Sequence, residues 1–312
     1  MQDLRKKSWR TAWYKSFTKY WQLYLLLIPV IAYYVIFKYK PMLGVQIAFR
    51  DYKLRRGMWG SEWIGFKHFQ RFFSSYWSGV VIRNTLIIGF LSLIFCFPFS
   101  ICLALIFNEL RSQRFKKTMQ TITYAPHFVS TIVVVGMMTA MCSPSTGIVN
   151  KLLLRLGLVE EPLYFMGSSR YFRFMYIYSA LWKDGGWNAI IFISALAAID
   201  PSLYEAATVD GASRLQQLLH VTLPSILPTI VIMLILESGK VLNVGYEKAY
   251  AMQNDLNMSV SEVISTYSYK QGLEELQYDY ATAIGLFNSV ISFAMLITVN
   301  AISKRASETS LF

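Results

Sequence analysis

Few residues in this chain could do chemistry, and they are scattered. His68, His127 and His220 lie in separate segments, and Cys96, Cys102 and Cys142 each sit in an apolar run, so no metal set, zinc pair or disulfide framework can be read. No G-x-x-x-x-G-K-[ST], G-x-S-x-G or H-E-x-x-H occurs. The chain therefore offers no phosphate-cradling loop, no catalytic residue and no metal ligand. What remains is a set of ionisable groups inside otherwise apolar stretches: Lys183, Asp184, Glu237 and Lys240. Each costs about 2.5–3.5 kcal/mol near mid-membrane, so such groups face a cavity or a partner. Trp182 and Trp187 flank the polar stretch around Lys183, and flat rings beside amide and charged donors suit the apolar face and hydroxyl rim of a sugar. Asn188, Asn243, Tyr246 and Asn288 are further polar candidates for a substrate path. Each has a plainer reading: Glu237 and Lys240, three apart on one helix face, can neutralise each other, and the tryptophans can anchor at the membrane interface. His127, alone in its span, reads as a hydrogen-bonded packing residue.

The elements that must position these groups follow from composition. Of 312 residues, 54% are apolar or aromatic and only 15% charged, against roughly 25% charged in a soluble domain; mean hydropathy is +0.38. Stretches able to cross about 30 Å of hydrocarbon fall at 20–37, 85–107, 118–142, 174–199, 226–246 and 280–303. The first is too long for a signal peptide and lacks a cleavage site, so it is expected to stay as an anchor. The fourth is interrupted at 182–188, which predicts either a broken helix or one that opens onto a polar cavity. The expectation is an all-α, polytopic membrane protein with six spans.

Six spans put both termini on one side, and the net charge of +12 helps to decide which. With the termini inside, 13 of the 30 basic residues lie in short internal segments, the density that the positive-inside rule favours. Another 14 lie outside, nine of them in 38–84, where Arg50, Lys53, Arg55 and Arg56 can meet acidic patches on a partner. The charge thus reads as a membrane and partner signature, with no nucleic acid. The head, 1–19, places Trp9, Trp13 and Phe17 at four-residue spacing, with Trp21 continuing the stripe, among Arg and Lys; it suits a helix lying among anionic headgroups.

Between the fourth and fifth spans lies an internal loop, 200–225. Asp200 or Ser202 near Pro201 starts a helix, Gly211 breaks it, and a second short helix is expected to end at Pro224. Here the chain resembles the permease subunits of binding-protein-dependent ABC importers, whose loop reads E-A-A, three residues, G, nine residues, I-x-L-P. Glu205-Ala206-Ala207 is followed after Thr208 to Asp210 by Gly211, and after nine residues by Val221-Thr222-Leu223-Pro224. Further stretches resemble the LplB-type oligosaccharide branch: Pro41 to Tyr52, Trp63 to Phe66, Arg83 to Leu86, Asn243 to Lys248, Glu262 to Tyr267, Tyr280 to Val290, and the tail Glu308 to Phe312.

The resemblance implies a type I importer permease fold spanning 20–312, with Glu205, Ala206, Ala207, Asp210, Gly211, Leu223 and Pro224 in a cytoplasmic coupling helix and its return. It implies a multi-pass protein of the bacterial cytoplasmic membrane, paired with a second, homologous permease as a heterodimer. Its other partners would be two separate ATPases that hold ATP and Mg, an extracellular solute-binding lipoprotein, and an oligosaccharide cargo. The chain itself would bind no cofactor and be no enzyme. Two rivals are weighed beside it: the same importer carrying a peptide, haem or another solute, and an ion-coupled secondary carrier using Lys183, Asp184, Glu237 and Lys240 as a relay.

Overall fold

The computed structural model describes residues 19–307, which form helices almost throughout. The basic head helix expected before residue 19 and the tail Glu308 to Phe312 lie outside the described residues. The chain divides into two units, residues 1–67 and 68–312.

In the first unit, α1 (Trp21–Tyr34) continues through a π turn at Val35–Tyr39 and a 3-10 run at Leu43–Phe49. The whole Trp21–Phe49 segment, 29 residues, is apolar enough to cross a membrane, longer than the 20–37 stretch expected. A two-stranded antiparallel ribbon follows, β1 (Arg50–Asp51) and β2 (Glu62–Trp63), with Arg50 opposite Trp63. Arg50 donates to the carbonyls of Ser61 at 2.8 Å and Trp59 at 3.3 Å. Its guanidinium lies 5.6 Å from the Trp63 ring, against which Phe49 stacks. The basic loop is therefore an ordered ribbon around one cation.

After α2 (Lys67–Ser74), the second unit is built on α3 (Tyr76–Glu109), capped by the Ser75 hydroxyl accepting from the Trp77 N–H. It outruns the expected 85–107 at both ends because a helix already propagating accommodates Arg83 and Asn84 without a break. The third stretch, expected as one straight span at 118–142, is instead α4 (Gln113–Tyr124) and α5 (Thr131–Met141), bent by 100°. Pro126 is the cause: it lacks an N–H and disrupts the preceding turn. The chain tightens to a 3-10 turn at Ala125–Phe128, and Ser130 restarts a helix by accepting from the Val133 N–H.

After α6 (Ile148–Arg155) comes α7 (Ser169–Ala197), an unbroken helix. The break considered at 182–188 is absent. Its paired glycines, each costing about 1 kcal/mol in a helix, have a packing reason: a Cβ on Gly186 would collide with the Thr123 carbonyl, and one on Gly185 with the Phe99 ring. They let α4 and α3 close on α7, the pair α3 and α7 making the most extensive packing in the unit. α8 (Pro201–Val209) turns 68° away from α7. A further run, α9 (Arg214–Gln217), a π turn at Leu218–Thr222 and α10 (Leu223–Ser238), forms one apolar segment of 25 residues. The fifth span thus ends at Ser238, eight residues before the expected 246, and 239–245 is a turn. Short helices α11 (Tyr246–Met252), α12 (Met258–Ser261) and α13 (Ile264–Tyr269) lead to α14 (Tyr278–Ser307). Among the described residues, four long helices, with two bent pairs if each is one span, make up to six candidate spans.

Three apolar clusters hold the second unit, and α3 contributes to all of them: Ile88 packs with Phe172 and Val263, Val81 with Tyr280 and Ile284, Ala104 with Phe192 and Ile226. The buried Asn84 and Thr85 side chains also pin the 259–264 stretch, donating to the Ser259 and Glu262 carbonyls and accepting from the Ile264 N–H.

Candidate functional site

The first candidate region is the α8–α10 knob. Asp200 caps α8 by accepting from the Ser202 N–H at 2.9 Å, and that bond holds its carboxyl below the usual range. Glu205 and Ala206 are exposed on α8 and Ala207 half-buried. Gly211 takes φ +78°, the left-handed conformation that only glycine adopts freely, and the Ala212 N–H closes the turn on the Ala207 carbonyl. The second short helix does not stop at Pro224, as expected; it runs on into α10. The π turn immediately before Pro224 widens the helix where the ring would otherwise meet the preceding turn. A shallow groove of about 260 Å³ opens beside Asp210, Gly211 and His220. Among the described residues Glu205 makes no ion pair or side-chain hydrogen bond, so it does not cap its own neighbours and is left to meet a partner.

The second region is a cavity of about 260 Å³ between α3, α7, α10 and the 240–245 turn. Asn188, Glu237, Lys240 and Asn243 all line it. Lys240 donates to Glu237 at 2.7 Å, so the pair is mutually neutralised while still facing the cavity. Asn288 joins through a 3.1 Å bond to the Asn243 side-chain oxygen; its own oxygen, like the Ser292 hydroxyl one turn on, has no partner. Sequence reasoning missed Ser92, Cys96, Ser100 and Tyr176, which complete the lining. The signal was present in the four-residue spacing of three small polar side chains along one face of an apolar helix.

Other candidates lie elsewhere. His127 Nδ1 meets Asp184 at 2.9 Å, Lys183 donates to the His127 carbonyl at 3.2 Å, and the Trp187 ring stacks on His127 with centroids 4.5 Å apart. This cluster satisfies the bend between α4 and α5. The Lys183–Asp184 ion pair, 3.7 Å apart, explains why α7 needs no break there. Trp182 is exposed and does not line the cavity. Tyr246 packs on Tyr269 and Tyr250, with the Tyr250 hydroxyl donating to Glu274.

Lys248, on α11, reaches below the cavity wall, donating to the Tyr176 carbonyl at 2.5 Å and lying 4.0 Å from the Tyr176 ring centre. Burial pushes its ammonium down to about 8, with nearby Lys183 adding to the fall and Cys96 and Asp184 opposing it. A lysine depressed from 10.5 penalises the folded state wherever it is charged: fully below about pH 8, and progressively less up to the unfolded value. Lys248→Met should therefore raise the melting temperature of the detergent-solubilised protein at pH 7, and the gain should shrink as pH approaches 10. An equal gain at both pH values would contradict this cause.

Residues 97–308 match the family described as the binding-protein-dependent transport system inner membrane component. The chain belongs to this family. The permease is 43% identical to Protein LplB of Bacillus subtilis, over 93% of this chain and 91% of that one. It is 40% identical to the polygalacturonan/rhamnogalacturonan transport system permease YteP of the same organism, over 93% and 90%. Among solved structures it superposes with a TM-score of 0.86 on a chain of a bacterial ABC transporter involved in import of the acidic polysaccharide alginate, at 40% identity, covering 95% of this chain and 99% of that one. A second structure of a bacterial alginate ABC transporter, in complex with an alginate pentasaccharide-bound periplasmic protein, gives 0.87 at 40% identity, over 96% and 99%. The fold is that of a type I importer permease, a multi-pass membrane component and not the ATPase.

Proposed function

We propose that the permease carries oligosaccharides rich in uronate groups, received from an extracellular solute-binding lipoprotein. What supports the cargo most is the near full-length likeness, at 40% identity, to a permease named for polygalacturonan and rhamnogalacturonan and to an importer of alginate. The cavity chemistry agrees: amides, hydroxyls and the Tyr176 ring suit a sugar's rim and face. Peptide or haem would call for a different lining, either backbone-pairing edges or a large flat apolar slot.

In this reading Asn188, Glu237, Lys240, Asn243 and Asn288 touch the passing glycan. The His127–Asp184 cluster with Lys183 and Trp187 keeps the helix bend, and Trp182 and Tyr246 stand outside the narrow path. On the opposite side of the membrane, Glu205, Ala206, Ala207, Asp210 and Gly211, with Leu223 and Pro224 behind them, meet a separate ATPase that holds ATP and Mg. A second, homologous permease completes a heterodimer served by two ATPases, in the bacterial cytoplasmic membrane with both termini inside.

The cargo is tested by reconstituting the complete importer with its binding protein and offering oligogalacturonates, rhamnogalacturonan fragments, an alginate pentasaccharide and neutral arabino-oligosaccharides. Uptake of one or more uronate-bearing probes, at least about tenfold above the neutral one, is expected. Preferential uptake of the neutral probe would overturn the uronate reading.

A further inference from the structure

The knob and the cavity stand at opposite ends of α10, and four side chains whose types the family loop pattern does not specify tie the knob to that helix. Thr222, only 3% exposed, closes the π turn. Its hydroxyl lies 3.3 Å from the Gln217 carbonyl, to which it donates, and 3.0 Å from the Tyr204 hydroxyl on α8, from which it then accepts. Gln217 makes a second tie, its amide donating to the Thr208 hydroxyl at 3.1 Å and to the Ala212 carbonyl at 3.2 Å. Thr208 in turn donates to the Tyr204 carbonyl at 2.7 Å. The start of α9 is fixed separately by a reciprocal cap between Ser213 and Gln216.

The π turn makes the first tie possible. One residue of α-helix turns about 100°, so without the extra residue of the wide turn Thr222 would point away from Tyr204. π turns are rare and are frequently found at functional sites. Without the ties, α8 would hang from α9 by Gly211, whose positive φ marks a pivot with no side chain to restrain it. With them, α8 and the base of α10 form one body. α10, 16 residues with Pro228 inside it, about 24 Å of helix, connects these ties to Glu237, which lines the cavity at the other end.

We infer that Tyr204 and Thr222 are positioning residues whose hydroxyl–hydroxyl bond makes the coupling helix and α10 move as a single rigid lever, so that the ATPase stroke reaches the cavity without being absorbed at Gly211. This rests on the importer reading above.

The test uses the complete complex with spin labels at the exposed positions Val209, on α8, and Leu236, near the far end of α10. In the otherwise native protein the separation should change by less than about 3 Å, the rise of two helical residues, between the resting and vanadate-trapped states. Tyr204→Phe and Thr222→Val should each broaden the distribution, and Thr222→Ser, which keeps the hydroxyl, should restore it. Uptake per ATP hydrolysed should fall about fivefold in Tyr204→Phe, the scale of one lost hydrogen bond. A larger native separation change, or a Tyr204→Phe variant with native width and native uptake per ATP, would overturn the lever. If no ATPase assembles with the chain, the importer reading fails on its own. The lever is then still decided by the nucleotide-free distribution, which must broaden in Tyr204→Phe.

Discussion

Replacing Glu205 with Lys and Gly211 with Val together should abolish ATP-driven uptake while leaving the membrane helices folded. Glu205 is exposed and makes no bond within the described chain, so its substitution costs the fold little. Under the proposed docking, reversing a charge that pairs across the interface costs roughly 2–5 kcal/mol of association, enough to loosen an ATPase from the knob. Gly211 sits at φ +78°, where a β-branched residue stores on the order of 1–3 kcal/mol of strain and tilts α8 on its stem. Both effects fall on the knob and neither on the core clusters around Ile88, Tyr280 or Phe192. Far-ultraviolet circular dichroism should stay native, uptake should drop more than about tenfold, and ATP hydrolysis should no longer respond to cargo. Native uptake by this double variant would remove the knob from the coupling path.

The second large effect concerns folding. Gly186→Leu should prevent α4 from seating on α7, because even a single added carbon there collides with the Thr123 carbonyl. Backbone cannot move aside as a flexible side-chain tip can, and overpacking of this kind costs about 1–3 kcal/mol or more. The damage spreads, because the same contact positions His127 against Asp184 and Trp187. Loss of the folded species on size-exclusion chromatography, or a melting temperature lowered by several degrees, is expected. Gly285→Ala on α14, where an added Cβ meets nothing within 4 Å, is the control and should melt at or slightly above the parent, since alanine is favoured over glycine in a helix interior by about 1 kcal/mol. If the two glycine variants behaved alike, close approach would not be the reason for Gly186.

What could be seen in the sequence divides along a physical line. The start and turn of the 200–225 loop were legible because a capped helix start and a glycine at a left-handed position are local signals, whereas the stop expected at Pro224 was not there, because the π turn carries the helix through the proline. The spans were legible because hydrocarbon admits few charges over 20 residues. Their shapes were less so. The 100° bend at Val129–Ser130 lies in a charge-free run, where hydropathy is blind and only Pro126 and Ser130 mark the event. The polar stretch of α7 looked like a break because Lys183 and Asp184 seemed stranded; His127, 57 positions from Asp184, supplies the partner that one-dimensional reading cannot see. The cavity shows the same limit. Glu237 and Lys240 were found through their charge, whereas Ser92, Cys96 and Ser100 are small, uncharged and inside the most apolar helix, and became functional candidates only when α10 and α7 closed around them.

The most direct measurement is flux in proteoliposomes containing either this chain alone or the full complex with the second permease, the ATPases and the binding protein, loaded with a uronate oligosaccharide outside. Uptake should require the complex and hydrolysable ATP, stop with vanadate, and be indifferent to a collapsed proton or sodium gradient. Gradient-driven uptake by the chain alone would contradict the central claim, and would return Lys183, Asp184, Glu237 and Lys240 to the role of an ion relay.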